Sequence, residues 1–414
     1  MTISARDRQI LRELGSRLAE IAAHPIQAER AGRWRRHNDL QPERPLVLVF
    51  PEGAWREMLP RAEMRCESGI AQDYEYDLRV RLYYREHLRD DNVIEDTIYT
   101  PVVWRHTGWG LEGETSRTVD PQGAFRIEPV LNTEADVDRL QIPEVTVDWE
   151  ATEERRALLA EVFDGILPVV VQGQAGYGLA PLDHYSTLRG IDRMFLDLVD
   201  NPAMVHKAVA RLVDGHIAII KALEREGALS LPNGRHYTGS GGTAYTDQLP
   251  SPGFDGAHVR PADLWGFATA QIFSEVSPAM HDEFALQYEK RVLDLFGLNC
   301  YGCCEPLHHK LDIIKTIPRL RRISISPWAD IDRAAEALGD RYIFSWKPNP
   351  AVVAGEGWDP DAVRQGIRDF LARTRGCVVE MILKDTHTCR HQPHRMWDWV
   401  RIATEEAEAF GHAH

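Results

Sequence analysis

Val378-Val379-Glu380-Met381-Ile382-Leu383 is an apolar run broken by one carboxylate and closed by the polar turn Lys384-Asp385-Thr386-His387-Thr388-Cys389. A short run of β-branched and apolar residues with such an ending predicts a buried strand and its exit loop. The same punctuation recurs upstream. Arg322-Ile323-Ser324-Ile325-Ser326 precedes a helix expected over 330–338, and Tyr342-Ile343-Phe344-Ser345 precedes one over 360–375. A last helix is expected over 393–410. Strands separated by helices imply parallel strands with helices packed on them.

Working towards the N-terminus, the alternation holds to about residue 155. Asn299-Cys300-Tyr301 reads as a strand followed by a helix over 307–317, after helices over 278–296. Asp263-Leu264-Trp265-Gly266-Phe267 reads as a helix start with Asp263 as its cap. Residues 232–260, with Ser240-Gly241-Gly242, are loop-rich. Helices are expected near 189–199 and over 203–225, the latter opened by Asn201-Pro202. Asp183-His184-Tyr185 reads as a capped turn. Leu167–Val171 and Arg44–Phe50 are strands, and 70–95 returns to a charged helical pattern. Residues 1–40 place Ile10, Leu11, Leu14, Leu18 and Ile21 at helical spacing. Residues 96–150, rich in Thr and Pro, suggest strands and long loops lying over a pocket. No glycine-rich dinucleotide fingerprint follows any strand, since Gly173-Gln174-Ala175-Gly176 is too short, and no phosphate loop is present. The expected fold is therefore an α/β (β/α)8 TIM barrel. It spans residues 41–414 as one catalytic domain, with an N-terminal helical extension over 1–40 and an insertion about 96–150.

The chain of 414 residues carries 63 acidic and 48 basic side chains, a formal charge of -15. That balance argues against nucleic acid as a partner. The apolar runs are too short to cross a bilayer, and no signal-peptide core is seen. Six unevenly placed cysteines do not form a disulfide framework. A cytoplasmic location and, by default, a homodimer are expected.

Barrel chemistry gathers where strands end. Two Cys/His clusters stand there: Cys300-Tyr301-Gly302-Cys303-Cys304-Glu305-Pro306-Leu307-His308-His309 and Lys384 through His391. Thiolates and imidazoles suit zinc. Cys303, Cys304, His387 and Cys389 are the candidate metal ligands; hydrogen-bonded loops are the alternative. Cys66 and Cys377 read as core or helix-face residues. Lys347 and Lys384 each follow a strand closely and require a partner or a substrate. Glu380, Ile382 and Lys384 share one face, so a buried Glu380–Lys384 pair is expected, structural or catalytic. Glu305 and Asp385 complete the candidate catalytic set with the two lysines. Tyr301, Trp328 and Trp346 are placed to wall a pocket or to pack the core.

From about residue 155 to 410 the chain resembles the uroporphyrinogen decarboxylase superfamily. The resemblance rests on Leu188-Arg189-Gly190-Ile191 through Leu198-Val199-Asp200-Asn201-Pro202, and on Phe273-Ser274-Glu275-Val276-Ser277-Pro278 followed by Phe284 and Tyr288. It implies a (β/α)8 barrel. In the corrinoid-dependent methyltransferase branch a His-x-Cys-Gly pattern and a later cysteine hold zinc. Here Cys303-Cys304-Glu305 stands at the first place and Cys389 near the second, with His387 as a substitute ligand. The decarboxylase proper carries an arginine-rich motif after its first strand, where this chain has Pro51-Glu52-Gly53-Ala54-Trp55. The resemblance thus implies a zinc-dependent methyltransferase component acting on a small methylated substrate. Glu305, Asp385 or Lys384 would handle the proton. No Asp-x-His-x-x-Gly signature is present, so the corrinoid would arrive on a separate protein. The alternative is a metal-assisted lyase or decarboxylase holding a carboxylate with Lys347 and Lys384.

Overall fold

The computed structural model describes residues 2–117, 125–232 and 236–411. Its strands are β1 (Leu46–Val49), β2 (Ile98–Pro101), β3 (Val103–His106), β4 (Glu114–Arg117), β5 (Phe125–Glu128), β6 (Val145–Asp148), β7 (Val169–Gln172), β8 (Gly176–Leu179), β9 (Trp265–Ala268), β10 (Leu298–Tyr301), β11 (Leu320–Ile325), β12 (Ile343–Trp346) and β13 (Val378–Leu383). Seven form one sheet in the order β1-β13-β12-β11-β10-β9-β8. Each neighbouring pair in it is parallel. Helices connect and cover the strands, giving an α/β fold with a barrel-like topology.

Two features relate the edges of this sheet. β2 pairs in parallel with β7. β7 and β8 are two halves of one stretch, parted at Gly173–Ala175, where Gln174 bridges Leu229. At the other edge, the segment before β2 reaches β1 without a ladder. The Asp91 N–H donates to the Val47 carbonyl (2.9 Å). The Val47 and Val49 N–H groups donate to the carboxylates of Asp91 (2.9 Å) and Asp90 (3.1 Å). Side chains thus satisfy backbone donors that a neighbouring strand would otherwise take.

The strands of this sheet divide their residues by the period of two. Ile323, Ile325, Phe344, Val379, Met381 and Leu383 face the helices and join the largest apolar core. The opposite face carries Arg322, Ser345 and Glu380, all buried, with Arg322 and Ser345 both donating to the Glu380 carboxylate. At its edge Leu46, Leu48 and Ile382 pack with Ala31 and Trp34 of the helix Ile26–Asn38. The N-terminal helices are therefore part of the packing. In the helix Ala5–Ala22, Ile10, Leu11, Leu14 and Leu18 are buried with Leu78 and Leu82 of the helix Gly69–Tyr83.

Most expected elements stand within a few residues of their expected bounds, but the charged helical pattern over 70–95 ends at Leu88, and three others differ in extent or type. The helix expected over 307–317 is reduced to Leu311–Ile314. The turn at Asp183-His184-Tyr185 lies inside the helix Pro181–Arg189, whose Pro181 sits at the first turn. Asp263 does not cap a helix: it closes a single turn by a bidentate pair with Arg260 (2.8 and 3.0 Å), and β9 follows at once. Gly266 belongs in that strand because a Cβ there would collide with Phe296 and Asn299. β8 was hidden for the same reason, since Gly176 and Gly178 give it no apolar alternation.

The described part of the insertion about 96–150, outside residues 118–124, contains two antiparallel ribbons, β3 with β6 and β4 with β5. It packs on the helices Pro181–Arg189 and Pro202–Arg225. Trp109 donates its indole N–H to the Leu212 carbonyl (3.2 Å), and Arg189 reaches the carbonyls of Leu131 and Asn132.

Candidate active site

The loop Tyr237–Thr243 is the element the sequence did not place. It is a tight hairpin: the Thr238 N–H donates to the Gly242 carbonyl (2.9 Å), and Tyr237 bridges Thr243. It lies across the polar face of the sheet. A Cβ on Gly239 would stand 2.7 Å from Cβ of Cys300. One on Gly241 would stand 3.0 Å from Ile382, and one on Gly242 2.6 Å from the Arg322 guanidinium. All three glycines have positive φ (63°, 116° and 93°). Only glycine meets both demands, an αL-side backbone and contact with β10, β11 and β13.

Beneath the hairpin is a buried ion cluster. Arg322 pairs with both Glu380 oxygens (2.8 and 3.1 Å), donates to Asn38 Oδ1 (2.7 Å), and also reaches Thr238 Oγ1. Ser345 donates to Glu380 (2.5 Å), and His37 Nε2 lies 3.4 Å from it. Burial alone would raise the Glu380 pKa; Arg322, His37 and Lys347 override it and hold the carboxyl down at about 2. Lys347 donates to Ser345 Oγ (2.6 Å). Its burial, reinforced by Lys384 and Arg322, lowers its ammonium to about 7 despite Glu380. The expected partner of Glu380 was Lys384; the structure gives it Arg322 instead. The alternating polar positions of β11 carried that signal.

Lys384 lies above, at the carboxyl end of β13. Its ammonium donates to Ser240 Oγ (3.1 Å) and Cys303 Sγ (3.6 Å), and stands 3.5 Å from Asp385. Ser240 also donates to Cys303 Sγ (3.3 Å). Cys304 Sγ lies 3.5 Å from Cys303 Sγ and 3.5 Å from an Asp385 carboxylate oxygen, the two acceptors that compete for its single proton. The hydrogen bond from Cys304, with the charge of Lys384 and the bond from Ser240, outweighs burial and brings the Cys303 thiol down to about 6. The same hydrogen bond, burial and the Cys303 charge push the Cys304 thiol up. Burial lowers the Lys384 pKa, but Cys303 and Asp385 raise it further, so its ammonium is held. Asp385 has φ 57° and Glu52, at the end of neighbouring β1, φ 46°. Non-glycine residues in that region carry strain of the kind that gathers at functional sites.

The structure thus brings Cys303, Cys304, Lys384 and Asp385 together, with Lys347 one layer below. Glu305 is wholly buried and spent on positioning: it accepts from Thr269 Oγ1 (2.7 Å) and from the Cys303 N–H (2.9 Å). Tyr301 and Trp346 face away into the helix layer, Trp346 stacking on Phe370 at 3.8 Å. Trp328 is exposed.

Zinc does not fit the four expected ligands as they stand. Cys389 belongs to a different cluster: its Sγ donates to Glu57 (3.2 Å), which also accepts from Thr388 Oγ1 (2.5 Å) and from the N–H groups of Cys389 and His391. Burial and the hydrogen bond and charge of Glu57 push that thiol up to about 11. His387 is exposed and lies against Gly53. Among the described residues, no group of three or more His, Cys, Asp or Glu side chains is placed to hold a metal ion. Nor is any helix among them long and apolar enough to cross a membrane.

No protein-family model matches this chain, and no curated protein matches it. Among solved structures it is similar to a methyltransferase from Methanosarcina mazei, with a TM-score of 0.49 and 11% sequence identity over 92% of this chain and 98% of that one.

Proposed function

We propose that this chain is an enzyme that moves a methyl group between the heteroatom of a small compound and a separate corrinoid protein. On this reading the fold is a (β/α)8 barrel, with β7 and β8 forming one stave and the Asp90–Asp91 segment closing the seam to β2. The reacting site is the carboxyl end of the sheet. The observation that carries the reading is the Cys303 sulfur held between Lys384, Ser240 and Cys304. When the heteroatom accepts a methyl group it must lose its proton; when it gives one up it must gain a proton. A thiol titrating near 6 serves as carrier in both directions, because general acid–base catalysis is most effective with a pKa close to the working pH. At neutral pH the resting thiolate favours the direction in which the heteroatom accepts the methyl group. Lys384 stabilises the thiolate, and Asp385 orients Lys384 and Cys304. No step is assigned to zinc.

The test is transfer of an isotope-labelled methyl group, in both directions, between reduced free corrinoid and a panel of thiols, amines and methyl ethers. Transfer is expected with the native chain. It should fall by about 100-fold or more in Cys303→Ala, the usual contribution of a positioned acid–base group. Absence of transfer to every compound sinks the reading. One observation favours a second reading: Lys347 follows β12 and Lys384 follows β13, neighbouring strands of the sheet, and two ammonium groups at adjacent strand ends suit a substrate carboxylate. Release of carbon dioxide without methyl transfer would select that lyase.

A further inference from the structure

We propose that Cys303 and Cys304 form a reversible disulfide between adjacent residues when a peroxide reaches the site, Cys303 being oxidised and Cys304 resolving it. As a modification this stands on the placement of the two sulfurs and of the donors around them. As regulation it rests on the reading of Cys303 as the proton carrier.

The two sulfurs are 3.5 Å apart and unbonded. Cys304 is exposed and Cys303 partly so, which gives a small oxidant access. Lys384 and Ser240 both direct donors at the Cys303 sulfur, the environment that makes a thiol a nucleophile. A low-pKa, accessible cysteine beside a resolving thiol is the arrangement of redox-sensing sites. The other thiols are engaged elsewhere. Cys66 donates to the Asp7 carbonyl, Cys377 to the Ala335 carbonyl and Cys389 to Glu57, while Cys300 lies under Gly239 beside Arg322.

The chemistry balances in two steps. The Cys303 thiolate attacks one peroxide oxygen, the O–O bond breaks, and a sulfenic acid and hydroxide form. The Cys304 sulfur then attacks the sulfenic sulfur; its proton leaves with the displaced hydroxide as water, and the S–S bond closes. The first step prepares the second. The charge on Cys303 is one of the causes that hold Cys304 protonated, and sulfenic acid formation removes it. Adjacent Cα atoms stand about 3.8 Å apart across a trans peptide, closer than the roughly 4.4–6.8 Å usual for disulfides. The ring is therefore strained and readily reduced, as a labile regulatory bond must be.

The experiment treats the fully reduced whole chain with a small excess of hydrogen peroxide and reads intact mass and the peptide bearing both cysteines. The native chain should lose two hydrogens on that peptide and regain them with dithiothreitol. Cys304→Ser should instead gain one or two oxygen atoms at Cys303. The proposal is overturned if the native peptide gains oxygen without losing hydrogen, if it does not react, or if Cys304→Ser still loses two hydrogens through another cysteine. Methyl transfer is read separately. A fully disulfide-bonded chain that keeps its transfer activity would overturn the proton-carrier role of Cys303 and the regulatory reading, leaving the modification itself intact.

Discussion

The Lys384 ammonium stands 3.6 Å from the Cys303 sulfur, and both donate to or accept from the same Ser240 hydroxyl. The strand end of β13 and the turn after β10 are thereby joined through a hairpin that belongs to neither.

Cys303 should therefore alkylate as an acidic thiol. The rate of its modification by iodoacetamide, followed on the peptide, should rise with pH and reach half its plateau near 6. Lys384→Met removes a cation within reach and should move that midpoint upward by about one to three pH units. A midpoint unchanged by Lys384→Met would show that the ammonium does not set the thiolate.

Glu289 should give the fold a specific pH dependence. Burial lifts its carboxyl to about 8, even though Tyr301 donates to it (2.8 Å). The folded pKa is above the unfolded one, so the folded chain binds more protons between about 4.5 and 8. Its contribution to stability is complete below the unfolded pKa and is lost as pH rises through 8. In Glu289→Gln this loss should vanish: the melting temperature of the variant relative to the native chain should climb steadily from pH 5 to 8. A constant difference would mean that Glu289 titrates normally.

Gly242→Ala should destabilise the chain by about 1–3 kcal/mol from its backbone conformation alone, with a further cost where the methyl group meets Arg322. Because the same hairpin carries Ser240, the alkylation midpoint of Cys303 should rise too. Gly256→Ala, also at positive φ but with no atom near its Cβ, should leave Cys303 unmoved. If both substitutions behave alike, the hairpin does not support the thiolate.

Cys389→Ser should leave both the metal content of the protein and the reactivity of Cys303 as they are in the native chain, since its partner is Glu57. Glu57→Ala should cost more, about 1–3 kcal/mol for each buried donor left without an acceptor. Elemental analysis and thermal melts separate the two. A fall in bound zinc in Cys389→Ser would return that thiol to a metal site.

The sequence makes the strands legible where apolar residues run together, as at Val378–Leu383, and it marks Cys303, Cys304, Lys384 and Asp385 because soft and charged groups at strand ends are conspicuous. It conceals what depends on closeness between distant segments. Gly176, Gly178 and Gly266 read as breaks because their role is to make room for neighbouring strands and side chains. Ser240-Gly241-Gly242 reads as a plain loop because nothing local says that it lies against Arg322. Cys389 misleads for the opposite reason: its spacing from His387 suits a metal, but Glu57, 332 residues away, claims its backbone N–H and its thiol.

Arg322 also constrains the order in which the molecule can be completed. Its guanidinium is satisfied by Asn38, Thr238 and Glu380 together, partners separated from it by as many as 284 positions. A growing chain that has released Arg322 still lacks Glu380, so the cation has no counter-ion until the last strand arrives and must stay hydrated until then. Contacts of such long range form slowly. The ion cluster can thus be completed only after Val378–Leu383 has docked. The thiol above it meets Lys384 of that same last strand, so alkylation of Cys303 near pH 6, as opposed to the ordinary thiol range, should report the docking of that strand.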